Sequence, residues 1–113
     1  MITLASRGFA GPYLAPLWLP PQAPGLYALL IPGWRLLMFH PIYFGQAADL
    51  SAPEVLKKHP AYADWIALAG SEWNLYVATC EMHHSTESER QAAHRALLAE
   101  PLTTFQGPIH AQL

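Results

Sequence analysis

Eleven prolines punctuate this chain of 113 residues, and their positions limit where regular structure can form. Proline fixes φ and has no backbone N–H to give, so helix interiors and central strands exclude it. Five of the eleven, Pro12, Pro16, Pro20, Pro21 and Pro24, fall in residues 1–24. That segment is expected to be an extended or irregular arm, packed over the domain through Tyr13, Leu17, Trp18 and Leu19. Regular structure is expected between the later prolines.

Residues 25–31 form a short apolar run bounded by Pro24 and by Pro32-Gly33, which predicts a buried strand ending in a turn. Residues 36–39 and 42–44 read as a second strand interrupted by Pro41, and a proline there requires an edge position or a bulge. The short turn between the two predicts an antiparallel hairpin. Ser51-Ala52-Pro53-Glu54 has the form of a capping box opening a short helix, which His59-Pro60 stops. A second helix is expected over residues 61–69, ended by Gly70, and a third strand over residues 74–80. Thr86 and Glu89 make a second capping box, and the helix it opens is expected to reach Ala99, before Pro101. The expected fold class is therefore α+β: a three-stranded antiparallel sheet flanked by helices, in the order β-β-α-α-β-α. The expected organisation is an arm (1–24), a domain (25–106) and a tail (107–113).

Charge narrows the function classes. Only 6 Lys and Arg and 8 Asp and Glu are present, and apolar residues make up 52%. Such a chain has material for a core and is neither a disordered tail nor a strongly basic nucleic-acid binder. Cys80 is the only cysteine, so no internal disulfide exists and an inert thiol is expected. The longest apolar run is far short of the ~20 residues of a membrane span. The start of the chain lacks the pattern of a secretory signal, and cytoplasmic localisation is the expectation.

Two tyrosine triplets stand on the first two expected strands. Gly25-Leu26-Tyr27 opens one, and Tyr43-Phe44-Gly45 closes the other, followed by Gln46-Ala47-Ala48-Asp49-Leu50. With the order of the later elements, the chain resembles the GIY-YIG nuclease superfamily over roughly residues 24–106. The resemblance implies phosphodiester cleavage in DNA or RNA with one divalent cation, Mg²⁺ or Mn²⁺. It implies that Tyr27 and Tyr43 face one active site and that one of them helps to activate water. It gives Gly45 the role of letting substrate approach the backbone. The expected catalytic residues are Tyr27, Tyr43, His59 and His94, and the expected nucleic-acid-binding residues are Gly45, Gln46, Lys57 and Lys58. No metal ligand is assigned.

Two positions depart from that pattern. Where the family keeps a phosphate-stabilising arginine stands Pro53, with Lys57 and Lys58 the nearest cations. Where it keeps a metal-binding glutamate stands His94, an imidazole that suits Mg²⁺ poorly. The closest amide to the family's late asparagine is Gln106. Both changes strike groups that stabilise transition-state charge. The expected function is therefore phosphodiester binding with weak or absent cleavage; the rival is an inactive module for a protein partner or a homodimer. Simpler roles compete at each residue. Tyr27 and Tyr43 also suit a core, Glu54 and Glu89 a cap, and Lys57-Lys58 a helix end. Glu81, His83, His84 and His94 match no zinc signature.

Overall fold

The computed structural model describes residues 1–33 and 39–99. Expectations for residues 36–38, Pro101, Gln106 and the tail 107–113 lie outside the described residues. Among the described residues, five strands and two α-helices form: β1 (Ile2–Leu4), β2 (Arg7–Leu14), β3 (Gly25–Pro32), β4 (Phe39–Ala47), α1 (Tyr62–Ala69), β5 (Tyr76–Glu81) and α2 (Glu87–Ala99). The α+β class holds, but the sheet has five strands where three were expected. Its order is β1-β2-β5-β3-β4, antiparallel throughout.

The two additional strands come from the proline-rich start. β2 pairs with β1 only through Arg7–Phe9, and with β5 through Ala10, Tyr13 and Leu14. Pro12 lies in the register shift between Ala10 and Tyr13, past the last residue that pairs with β1, so its missing N–H breaks no ladder. Beyond Leu14 the chain stays tied to the sheet. Ala15 donates its N–H to Leu75 O at 2.8 Å, and Leu50 donates to Ala23 O at 2.8 Å.

β3 is the centre of the sheet, and its alternation feeds two cores. Leu26, Ala28 and Leu30 pack with Ile2, Leu4, Phe9 and the α2 residues Ala93 and Leu97. Tyr27 and Leu29 point to the other face, where Leu50, Leu56, Leu75 and Trp65 of α1 cover them. Every residue from Gly25 to Leu30 is buried. One helix thus lies on each face.

The β3–β4 hairpin forms in the predicted sense. Pro41 pairs with Leu30 and Tyr43 with Leu29, which leaves Ile42 as the extra residue of a bulge on an edge strand. The capping box at Thr86 also forms: Thr86 Oγ1 accepts from Glu89 N–H at 3.1 Å, and Glu89 Oε1 accepts from Thr86 N–H at 2.7 Å. The one expected at Ser51 does not. Asp49 Oδ1 accepts both the Ser51 N–H (2.9 Å) and its hydroxyl (2.6 Å), which takes the capping side chain away. A single 3-10 turn, Pro53–Val55, stands in place of the expected helix. No helix among the described residues is long and apolar enough to cross a membrane.

Candidate functional site

His59 begins the site, and local backbone chemistry places it. Pro60 has no N–H, so the first donor of the next segment is Ala61 N–H, which His59 Nδ1 accepts at 3.0 Å. The side chain thereby holds the entry to α1, and Tyr62 N–H bonds His59 O at 3.0 Å. A ring nitrogen that accepts leaves the proton on the other. His59 Nε2 therefore donates to Tyr43 Oη, 3.2 Å away. His59 presents Tyr43 with a proton and not with a lone pair.

Tyr43 and Tyr27 are diagonal neighbours on β4 and β3, with ring centroids 6.1 Å apart and their hydroxyls hydrogen-bonded. Burial, and after it the neighbouring Tyr43, pushes the Tyr27 phenol far above its ordinary range. The bond favours the protonated Tyr27, so Tyr27 is the donor. Tyr43 Oη then accepts from both neighbours, and neither contact uses its own O–H. Trp65 of α1 completes the cluster, 5.0 Å from the Tyr43 ring and 4.5 Å from His59.

Gly45 makes this arrangement possible. It pairs with Tyr27, and a Cβ at position 45 would collide with the phenol end of the Tyr27 ring. The glycine is thus required by the tyrosine across from it.

The structure brings Tyr27, Tyr43, His59 and Gly45 together on the α1 face. Lys57 and Lys58 are exposed on the loop just before His59, after the turn that Pro53 opens. Gln46 and His94 are held elsewhere. Gln46 Oε1 accepts from Arg90 Nε of α2 at 3.2 Å, and His94 Nε2 donates to Phe44 O at 3.0 Å. Since α2 packs its apolar side on the opposite core, these two contacts stitch it to the edge strand, away from the tyrosine pair. Spacing explains the match: residues four apart on a helix and two apart on a strand both span about 6 Å.

Arg90 is a residue that motif reading misses. It is 6% exposed, and besides Gln46 it donates through Nη1 to Ser85 O (2.8 Å) and Ser85 Oγ (3.1 Å). No carboxylate pairs with it among the described residues. Trp18 does more than pack the arm, since it lines an open cavity; a tryptophan among prolines is the available signal. Glu81 and His83 form an exposed pair at 2.7 Å. Cys80 is half-buried, with Arg7 Nη1 at 4.0 Å from Sγ.

The described residues do not fit a divalent cation. No three His, Cys, Asp or Glu side chains among them come together, and both nitrogens of His59 are already bonded. Compared with protein-family models, with curated proteins and with solved structures, the chain finds no match.

Proposed function

We propose that this chain is a GIY-YIG nuclease-like domain that binds a nucleic-acid phosphodiester at Tyr43, with cleavage weak or absent. The observation that carries the reading is the chain of hydrogen bonds from Ala61 through His59 and Tyr43 to Tyr27 above Gly45. It leaves one hydroxyl donor free beside a loop carrying two exposed ammonium groups. Phosphate oxygens only accept hydrogen bonds, so donors and cations are the complement they need. Tyr43 binds and orients the phosphate, His59 fixes Tyr43, and Tyr27 holds it from below. With Pro53 in the clamp position and His94 engaged on Phe44, little remains to stabilise transition-state charge.

The test is binding of fluorescent single-stranded DNA, double-stranded DNA and RNA. Each substrate is then incubated at protein excess with Mg²⁺, Mn²⁺ or neither. Two lysines bound to a single strand give a salt slope of at most about −1.4, so affinity falls about sevenfold between 50 and 200 mM salt. Binding that Tyr43→Phe weakens supports the reading, whereas no binding to any strand at low salt overturns it.

One feature favours the rival protein-binding reading. Tyr13, Leu17 and Leu19 are 45%, 67% and 89% exposed. With Trp18 they line an open cavity of about 300 Å³. Size-exclusion elution that shifts with concentration and ignores salt would favour it.

A further inference from the structure

After β2 the chain turns across the loop that precedes His59, and a different open cavity, of about 270 Å³, lies between the two segments. Pro16, Trp18 and Pro20 line one side; Ser51, Leu56 and Lys57 line the other. The volume is below the roughly 300–1,000 Å³ of pockets that bury a drug-sized ligand, so the cavity suits one small ring system. The lining is mixed: the Trp18 indole, the rings of Pro16, Pro20 and Pro53 and the Leu56 side chain are apolar, and Ser51 and Lys57 are polar. Among the described residues, the one charged side chain lining the cavity is Lys57, which is exposed. An indole among proline rings with one ammonium beside it complements a planar ring that carries an anion.

Position adds the second argument. Leu56 and Lys57 line the cavity, and His59, two residues on, bonds Tyr43. Two residues of chain span at most about 7 Å. A ring seated against Trp18 therefore leaves its attached phosphate within reach of the loop that carries both Lys57 and His59. Asp49 and Glu54 share that loop and oppose an anion, although Asp49 Oδ1 is turned onto Ser51. Their charges offset that of Lys57, so the expected affinity rests more on stacking than on charge.

We infer that this cavity is a subsite for one unpaired nucleobase, stacked on Trp18, next to the phosphate held by Tyr43. The inference rests on the phosphodiester-binding reading above. Stacking on an aromatic ring is tolerant of sequence, so the subsite selects strands with an unstacked base over intact duplex, and not one base over another.

The experiment compares three ligands by anisotropy at low salt: a short labelled oligothymidine, the same strand with abasic sites through its centre, and a blunt duplex. Loss of one stacked base is expected to weaken binding about 5- to 150-fold. Trp18→Ala should weaken the intact strand by the same factor and leave the abasic strand unchanged, and Trp18→Phe should restore most of the affinity. If Trp18→Ala fails to fold, the ligand comparison on the unaltered protein decides alone. Equal binding of intact and abasic strands overturns the base subsite and leaves the phosphate reading standing. Binding of no strand overturns both.

Discussion

At the scale of single residues, Tyr43 concentrates the chemistry. Its oxygen receives His59 Nε2–H and the Tyr27 hydroxyl, and Tyr27 is only 4% exposed. Tyr43→Phe leaves a buried donor without a partner, which costs about 1–3 kcal/mol of stability in urea denaturation. The same variant should lose strand binding. Gly45→Ala drives a methyl group into the Tyr27 ring, and overpacking of this kind costs about 1–3 kcal/mol. It should lower the thermal midpoint while its far-ultraviolet dichroism at room temperature stays native. Tyr27 also makes stability depend on alkaline pH. Its folded phenol holds a proton more tightly than the unfolded one, which titrates near the ordinary value of 10.0. The folded state therefore keeps the proton after the unfolded state has released it. The Tyr27 contribution to stability is constant below about pH 10 and is lost above it, by up to about 1.4 kcal/mol per pH unit. Phenolate absorbance should show one of the five tyrosines ionising only as the chain unfolds. The two triplets were legible as residues, but which hydroxyl donates was not. That depends on the burial of Tyr27 and on the Ala61 N–H that occupies His59 Nδ1.

At the scale of elements, two four-residue patterns that look alike in sequence part company. Thr86 caps α2 reciprocally with Glu89, and Thr86→Ala should cost about 0.5–2 kcal/mol by urea denaturation. Ser51 is bound to Asp49 and caps nothing, so Ser51→Ala should leave helix content by circular dichroism unchanged. The difference is one carboxylate two residues upstream that takes the serine first. The β3–β4 hairpin was readable because its apolar run is closed by prolines and Pro41 could be accommodated only at an edge or a bulge; the structure uses both. β1 and β2 were not readable. Gly8, Gly11 and Pro12 break alternation inside β2, and its two halves serve different partners, so no single period runs through it.

At the scale of the whole molecule, the first fourteen residues are structural. Ile2, Leu4 and Phe9 are 5%, 3% and 0% exposed within the core under α2. Three such side chains contribute about 1.5–3 kcal/mol each, a sum comparable with the ~5–15 kcal/mol by which a domain is stable. A chain lacking residues 1–14 should therefore show no cooperative thermal transition by circular dichroism. The sequence alone puts the domain boundary at residue 25, because the charge-poor, proline-rich start offers no pattern. The pairing of Ala10, Tyr13 and Leu14 with β5 reveals that the start belongs to the sheet. That pairing also sets an order of events at the ribosome. β3 and β4 are neighbours in sequence and can meet as soon as both emerge, but β2 has no sheet to join until β5 is made, about sixty residues later. At ~5–20 residues per second the first hairpin waits about 3–12 s with Phe9 uncovered. Over that interval the nascent chain exposes an apolar ring that the finished fold buries completely.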